Sequence, residues 1–319
     1  MPAKRPPTGT DADLNLATMA SMFANEDESR KFVESKRWPN GPICPHCDCK
    51  EVYTLTAKPV SKSPVRPGVY KCKACRKQFT VRIGTIFEES KIPLSKWLIA
   101  IHLMTSCKKG ISSRQIEREL GVTMKTAWFL IHRIREAMTE SPFAELLQGT
   151  VEVDETYVGG KPRFKGQSKR GRGTNKQPVI VLVERDGLAR CKPVERIDGL
   201  TLKGEITAHV AKGAAIMTDE NAAYNGFDQA YAGHEVVKHS SREYARTKED
   251  GTSSNSNTAE SFFALIKRGH YGIFHHLSKT HLHRYCNEFS FRWNHRHNSD
   301  GARLTAAIVG AEGKRLMYA

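Results

Sequence analysis

Residues 151–160, VEVDETYVGG, alternate in the way that a half-buried β-strand does. β-Branched and aromatic residues fill this segment, and Gly159–Gly160 ends it. The alternation places Asp154 on one face of the strand and Glu155 on the other. A carboxylate in the middle of a strand is costly to bury unless a cation meets it. Asp154 therefore marks this strand as a candidate functional element.

Two later segments bring further acids to the ends of apolar elements. The run IMTDENAAY predicts a buried strand that ends at Asp219. The run NTAESFFALIKRG predicts a helix with Glu260 near its start. Acids on three separate elements around one sheet can hold divalent metal ions, because such ions prefer oxygen ligands. We adopt that hypothesis for Asp154, Asp219 and Glu260.

The helix predicted for residues 257–269 has charge on one side, while its apolar residues lie mostly on the other. Lys267 follows Glu260 by seven residues, about two turns, so the two side chains share a face. On a helix that stood alone, such a pair would indicate only a solvated charged surface. Beside a metal-binding sheet, the same pair can serve a metal ion and a phosphate together.

The remaining pattern over residues 148–300 indicates a mixed sheet flanked by helices. Two strands, PVIVLVERDG and LARCKPVERID, are joined at Asp186–Gly187 as a hairpin. The run TLKGEITAHV predicts a helix, and a last long helix covers roughly residues 279–297.

The cysteine spacing predicts a zinc ribbon over residues 41–85. Two CxxC pairs, CPHC and CKAC, are separated by 24 residues. Such pairs on tight turns place four thiolates around one structural zinc ion. The predicted ligands are Cys44, Cys47, Cys72 and Cys75. His46 and Cys49 are alternative ligands in the first pair.

Residues 90–140 are predicted to be helical and to contain a helix-turn-helix. Its first helix, over residues 113–120, ends at Gly121, and its second, over residues 124–138, follows the N-cap Thr123. The side chains of the second helix that suit DNA contact are Lys125, Thr126, Arg133 and Arg135. An ordinary helical hairpin with a solvated basic face is the alternative. The basic balance of the chain and the neighbouring zinc ribbon favour DNA binding.

The stretch 161–176 carries seven basic residues and no acidic ones. An ordinary solvated loop has the same composition, but this one directly follows the strand that carries Asp154. That position suits contact with a phosphate backbone. The DNA contacts predicted here are Lys161, Arg163, Lys165, Lys169, Arg170 and Arg172, joined by Lys267 and Arg268 of the later helix.

Charge and cysteine usage narrow the class of protein. The 319 residues carry a formal net charge of +16, which favours a polyanionic partner, nucleic acid by default. No apolar run reaches the length of a membrane span and no signal peptide opens the chain, so we expect a cytoplasmic protein with reduced cysteines. Residues 1–40 are expected to form a disordered tail and short helices, and residues 301–319 a C-terminal tail.

Taken together, these motifs resemble the DDE transposases of bacterial insertion sequences, in the group that has an N-terminal zinc ribbon and is related to the eukaryotic Merlin elements. The resemblance rests on RWPNGPICPHC, YKCKACRKQFTVRIGTIFEESKIPLSKW, the helix-turn-helix, VEVDETYVGG and the segment from NTAESFF to FRWNHR. It covers the chain from about residue 20 to residue 298. It implies a multidomain α+β protein in which the zinc ribbon and helix-turn-helix precede a ribonuclease-H-like α/β catalytic domain with a mixed sheet.

The resemblance also implies roles for the acids. Asp154 would lie on the first strand of the catalytic domain, Asp219 at the end of the fourth, and Glu260 on the following helix. Lys267 matches a basic residue that this superfamily often carries there. Some members use asparagine as the third ligand, so Asn257 is an alternative to Glu260. Acids adjacent to a proposed ligand are candidates for supporting it, namely Glu155 and Glu220.

The implied activity is binding of the element's own terminal inverted repeats, followed by DNA cleavage and strand transfer into target DNA. Two Mg²⁺ or Mn²⁺ ions about 3.5–4 Å apart would serve that chemistry, since they relieve the repulsion among the carboxylates and clamp the scissile phosphate. A homodimer or higher oligomer on DNA is expected, located on the bacterial nucleoid. The alternatives are a catalytically inactive DNA-binding regulator derived from a transposase, and a nuclease or resolvase of the same fold.

Overall fold

The structure is a computed structural model that describes residues 14–56, 65–140, 144–159, 176–224, 231–237, 246–247, 253–254 and 257–317. The chain divides into two compact units. The first comprises Met1–Thr139 with His297–Ala319, and the second comprises Glu140–Arg296. Within the described ranges, no helix combines the length and apolar character that crossing a membrane requires.

Helices and strands alternate in the order that the sequence pattern indicates. The helices are α1 (Leu16–Met22), α2 (Glu26–Arg37), α3 (Leu94–Ser106), α4 (Ser113–Leu120), α5 (Met124–Ala137), α6 (Gly199–His209), α7 (Asn257–Gly269), α8 (Leu282–Asn294) and α9 (Asp300–Val309). The strands are β1 (Val52–Thr54), β2 (Tyr70–Cys72), β3 (Gln78–Phe79), β4 (Thr150–Val158), β5 (Gln177–Glu184), β6 (Ala189–Pro193), β7 (Ala215–Asp219), β8 (Gly233–Val237), β9 (Arg246–Thr247) and β10 (Ser253–Ser254).

The first unit joins a small ribbon to a helical core. The ribbon is an antiparallel sheet in the order β1-β2-β3. Helix α3 is buried over most of its length and packs against α9. Residues 301–319 are therefore not simply a tail, since Leu304, Ala307 and Ile308 of α9 are buried. Positions 304, 307 and 308 lie on one side of the helix and form the apolar stripe that packs into this core.

Helices α4 and α5, joined by a short turn, lie where the sequence predicts the two helices of a helix-turn-helix. Helix α4 ends at Gly121, whose φ of +58° lies in the left-handed region that favours glycine at this position. Thr123 caps α5, where its side chain accepts a hydrogen bond of 3.3 Å from the backbone of Thr126. Ala127 and Ile131 of α5 and Ile116 of α4 are all buried, so the two helices share an apolar core.

The assignment of Arg133 and Arg135 to an exposed basic face of α5 is wrong. Arg133 is 6% exposed and Arg135 is fully buried. The Arg133 guanidinium donates a 2.6 Å hydrogen bond to the backbone oxygen of Glu88 and lies over the rings of Trp97 and Phe129. Burial lowers the pKa of Arg133. Helical periodicity alone did not indicate that the surrounding elements cover this face.

The second unit is built on a five-stranded mixed sheet in the order β6-β5-β4-β7-β8. Strand β4 pairs antiparallel with β5 and parallel with β7, and β7 pairs parallel with β8. Strands β5 and β6 form the hairpin predicted at Asp186–Gly187, where Asp186 has a φ of +58°. The strand that carries Asp154 therefore lies at the centre of the sheet.

Alternation along β4 divides its side chains between two apolar layers. Val151 and Val153 pack in a core with Leu202 and Ile206 of α6. The opposite face of the sheet packs against α7 and α8. Glu152 and Asp154 alternate with the two valines and so belong to the α7 side, as the sequence pattern predicts.

Candidate functional site

Four cysteines of the first unit form a cluster that suits zinc. The sulfur atoms of Cys44, Cys47, Cys72 and Cys75 all lie within 4.8 Å of one another. The Cys44–Cys75 and Cys47–Cys72 sulfur distances are 3.7 Å and 3.6 Å. Thiolates at a Zn–S distance of about 2.3 Å in a tetrahedron lie about 3.8 Å apart, so the cluster fits the ion. Its dimensions match the predicted structural site.

Tight turns hold each cysteine pair. The backbone nitrogen of Asp48 donates to the Cys44 oxygen at 2.9 Å, and that of Cys72 donates to the Lys77 oxygen at 3.0 Å. Cys49 and His46 are not members of the cluster. The thiol of Cys49 instead lies 3.7 Å from the backbone oxygen of Glu51. The geometry thus selects the four cysteines of the two CxxC pairs.

The second unit brings three acids to one region of its sheet. Asp154 lies in the middle of β4, Asp219 is the last residue of β7, and Glu260 lies in the first turn of α7. Glu152 of β4 pairs with Met217 of β7, and extending that parallel register by two residues brings Asp154 level with Asp219. Paired residues of parallel strands share a face of the sheet, and α7 packs on that face.

Burial and neighbouring negative charges shift the pKa of Asp154. Burial raises the pKa of Asp154 to about 7, and the negative charges of Glu155, Asp219 and Glu260 act in the same direction. A 2.7 Å hydrogen bond from the backbone nitrogen of Glu155 to the Asp154 carboxylate opposes the rise. The acids of three elements are therefore close enough to influence one another electrostatically.

The donor set fits a hard divalent cation. Carboxylate oxygens are the ligands that Mg²⁺ and Mn²⁺ prefer, and a cation would offset both causes of the raised pKa of Asp154, which are burial first and nearby negative charge second. The carboxylates converge less tightly than the cysteines. Among the residues that the structure describes, only the cysteine group has ligand atoms that all lie within 4.8 Å of one another.

Glu152 joins β4 to the start of the helix that carries Glu260. Its fully buried carboxylate accepts hydrogen bonds from the backbone nitrogens of Thr258 and Ala259 at 2.8 and 3.0 Å, and from the Thr258 hydroxyl at 3.0 Å. Arg185 forms an ion pair with it at 2.7 Å. The first amides of a helix lack partners within the helix, so this carboxylate caps α7. Sequence reasoning missed this role, although the alternation had placed Glu152 on the same face as Asp154.

Glu155 holds the turn that follows Asp219. Its carboxylate accepts hydrogen bonds from the Asn221 amide at 2.7 Å and from the Tyr224 hydroxyl at 2.5 Å. The backbone nitrogen of Asn221 in turn donates to the Asp219 carboxylate at 3.0 Å. Burial and the charge of Glu155 raise the pKa of Tyr224 well above its usual range, so this hydroxyl stays a donor. These contacts accord with the supporting role predicted for Glu155, whereas Glu220 is exposed.

The other predicted site residues lie at different places. Asn257, Lys267 and Arg268 are exposed on α7. Lys125 is exposed and Thr126 is half-buried on α5, where both line a groove of about 470 Å³ with Trp97 and other residues. Arg133 lines the same groove but is occupied by the contacts given above. Six predicted DNA contacts lie outside the described residues: Lys161, Arg163, Lys165, Lys169, Arg170 and Arg172.

Comparison with solved structures gives only a weak overall likeness. A Mos1 transposase paired-end complex with left transposon end is 11% identical with a TM-score of 0.25, covering 68% of this chain and 80% of that one. A pre-cleavage Mos1 transpososome is 12% identical with a TM-score of 0.24, covering 94% of this chain and 97% of that one. Likeness at this level is too low to establish a shared fold.

Comparison of sequences is more informative. The model of the ISXO2-like transposase domain matches residues 146–294, and that of the transposase zinc-ribbon domain matches residues 24–78. A protein of Halobacterium salinarum, described as an uncharacterized protein in transposable element ISH50, is 30% identical over 287 residues. That match spans 85% of this chain and 91% of the relative. The resemblance inferred from the motifs is thus confirmed, and the chain belongs to the family of insertion-sequence transposases that combine a transposase zinc ribbon with an ISXO2-like DDE transposase domain.

Proposed function

We propose that this transposase binds the ends of its own insertion element and carries out metal-dependent DNA cleavage and strand transfer. The observation that carries the proposal is the placement of Asp154 on β4, Asp219 at the end of β7 and Glu260 in the first turn of α7, where burial and the neighbouring acids raise the pKa of Asp154 to about 7. A buried carboxylate with other acids nearby is unfavourable in its charged form unless a cation offsets the charge. In a transposase, a cation bound by these acids would serve DNA cleavage and strand transfer.

The ligands of the divalent ions are proposed to be Asp154, Asp219 and Glu260. Divalent ions held by these carboxylates would supply the charge stabilisation that a displacement at phosphorus requires. The chain's own residues hold the three carboxylates in place through Glu152 and Glu155. Lys267, exposed on α7, is proposed to contact a phosphate of the substrate.

Asn257 and Glu260 can be distinguished by mutation. The negative charge of Glu260 acts on Asp154, which supports Glu260 as the third ligand. We expect Glu260→Gln to abolish cleavage and Asn257→Ala to reduce it only slightly. The measurement is Mg²⁺- or Mn²⁺-dependent nicking of duplex DNA, and the opposite ranking would move the third ligand to Asn257.

Recognition of the element ends is assigned to the first unit. The zinc ribbon and the α4–α5 helix-turn-helix are proposed to read the terminal repeats, with Lys125 and Thr126 at the start of the recognition helix. Arg133 is not among the proposed DNA contacts because it is buried. The basic stretch 161–172 and Arg268 are proposed to contact the phosphate backbone, which would contribute salt-dependent affinity without sequence preference. Bringing two ends together requires at least a dimer on DNA.

The test uses duplex DNA taken from the sequences that flank the coding region in its genome. We expect nicking at the element ends and joining to a second duplex, both dependent on Mg²⁺ or Mn²⁺. Cleavage without joining would support a nuclease or resolvase instead. End-specific binding without cleavage, at any metal concentration, would support a regulator that has lost catalysis.

A further inference from the structure

The exposed side of α7 forms a stripe that continues beyond the proposed metal site. At 100° per residue, Lys267 and Tyr271 lie within about 20° of the direction of Glu260 around the helix axis. All three are exposed, Tyr271 to 61%. The opposite side of α7, which includes Phe262 and Ile266, is buried in the core of the second unit. Acid, cation and aromatic ring therefore follow one another along a single line.

Tyr271 lies on a turn that is packed against the core of the second unit. Residues His270–Phe274 form a π-helical turn that directly continues α7, a feature that recurs at functional sites. The turn ends at His275, whose φ of +58° lies in the left-handed region, an uncommon conformation for a residue other than glycine. Phe274 anchors the turn in the core, with its ring centroid 5.0 Å from that of Tyr285. The ring of Tyr271 stacks on His270 at 4.8 Å.

Positive charge surrounds this turn. Arg268, His275, His276 and Lys279 are exposed. Burial lowers the pKa of His270, and charges on His276, Lys176 and His275 lower it further. Lys176, the last residue of the stretch 161–176, is close enough to His270 for its charge to act there. Charge of this sign is complementary to a phosphate backbone.

We propose that the exposed side of α7 and the π turn guide one DNA strand away from the active site, and that Tyr271 stacks on an unpaired base of that strand. Lys267 would contact a phosphate between the active site and the base that stacks on Tyr271. Aromatic rings beside cations bind single-stranded nucleic acid in this way, without sequence preference.

The rise per residue of the helix predicts how far the base stacked on Tyr271 lies from the scissile phosphate. Eleven residues separate Glu260 from Tyr271, which corresponds to about 16 Å along the axis. At about 3.4 Å per nucleotide, that distance spans about five nucleotides, and fewer where the strand is stretched. The stacked base therefore lies about three to five nucleotides from the scissile phosphate. This inference rests on the proposed function, because Glu260 marks the catalytic end of the stripe.

The test measures DNA affinity in an Asp154→Asn background, so that no strand is cut. One set of duplexes carries mismatches three to five nucleotides from the junction between element and flanking DNA, on either side. A second set carries them nine to eleven nucleotides away, and a third is fully paired. We expect the protein to bind the first set more tightly, because the bases at these positions are already unpaired and binding need not open them. Tyr271→Ala should remove this preference and weaken binding about fivefold to tenfold, whereas Tyr271→Phe should retain both.

Leu200→Ala is the matched control, because Leu200 is an 87% exposed apolar residue on α6 of the same unit. It should leave affinity and preference unchanged. The inference is overturned if Tyr271→Ala binds every duplex as wild type does, or if Tyr271→Phe loses as much as Tyr271→Ala. Failure of the proposed function would appear separately, as an absence of cleavage by the wild-type protein, while the affinity measurements would still decide the role of Tyr271.

Discussion

The cysteine cluster of the first unit and the carboxylate cluster of the second differ in how their ligands are held. The cysteines lie on two tight turns, each closed by its own backbone hydrogen bonds, and their sulfur atoms converge within 4.8 Å. The carboxylates come from two strands and a helix that are far apart in sequence. A zinc knuckle is thus a local structure, while the acidic site depends on the entire sheet.

The supporting contacts differ in the same way. In the second unit, two glutamates of β4 on opposite faces tie it to the elements that carry the other acids. Glu152 caps α7, and Glu155 holds the turn after Asp219. The strand at the centre of the sheet therefore supplies one proposed ligand and positions the other two. Changes in either cluster should leave the other intact.

The largest expected effect concerns Asp154. Asp154→Asn should reduce cleavage and strand transfer by about a thousandfold or more, because a ligand charge is lost from groups that act as a unit. Zinc content and binding to the element ends should stay at wild-type values. The measurements are nicking and joining assays beside metal analysis and DNA-binding titration. Substantial cleavage by this variant would disprove the assignment of the acidic site.

Cys72→Ser should affect the first unit alone. The change removes one of four zinc ligands, and a small ribbon depends on its metal to fold. We expect loss of bound zinc, together with at least a tenfold loss of end-specific DNA binding, while the second unit retains its unfolding transition. Metal analysis and thermal unfolding test this. Cys49→Ser is the control, since Cys49 is outside the cluster, and wild-type zinc content in Cys72→Ser would contradict the site.

Glu152→Gln should weaken the positioning of α7. The amide cannot accept all the bonds that the carboxylate accepts from Thr258, Ala259 and Arg185. Removing one member of a buried, hydrogen-bonded ion pair costs about 3 kcal/mol of unfolding free energy. We also expect a higher metal concentration for half-maximal cleavage, with activity largely restored at saturating metal.

The control for that change is Glu195→Gln, which alters an exposed glutamate of the same unit. It should change neither the unfolding free energy nor the metal requirement. A Glu152→Gln variant that loses stability but keeps the wild-type metal dependence would show that Glu152 stabilises the fold without positioning Glu260.

Arg133 and Lys125 should separate stability from DNA recognition within α5. Arg133→Ala removes a buried side chain that contacts Glu88, Trp97 and Phe129, so it should cost about 2 kcal/mol of stability. Lys125→Ala should leave stability unchanged and reduce the preference for element ends over other DNA by about 1 kcal/mol. Unfolding curves and competition binding test the pair. Equal effects on end preference from both variants would contradict the burial of Arg133.

The stability of the second unit should also depend on pH. The pKa of Asp154, about 7 in the folded protein, is above its unfolded value of about 3.9. A raised pKa contributes stability that is complete below the unfolded pKa and is lost as pH rises through the folded pKa. The metal-free second unit should thus lose on the order of 3 to 4 kcal/mol between about pH 4 and pH 7, since one pKa unit corresponds to about 1.4 kcal/mol. Urea unfolding across this range measures the loss. Asp154→Asn should remove that part of the pH dependence, and an unchanged slope would contradict it.

Local structures could be predicted from the sequence alone. Alternation placed Asp154 on the face of β4 opposite Val151 and Val153, and the CxxC spacing identified the four cysteines that cluster. Gly121 and Thr123 marked the turn and cap of the helix-turn-helix. These features depend on residues that are close together in the chain, where backbone geometry and side-chain period leave few choices.

Which charged side chains are buried depends on contacts between distant parts of the chain. Arg133 has the helical spacing of a surface residue, yet the carbonyl of Glu88 and two aromatic rings enclose it. Glu152 has the spacing of a possible ligand, yet amides from a helix more than a hundred positions later engage its carboxylate. A charged residue can be buried wherever partners replace its water. Those partners come from distant segments, so no local pattern in the sequence identifies them.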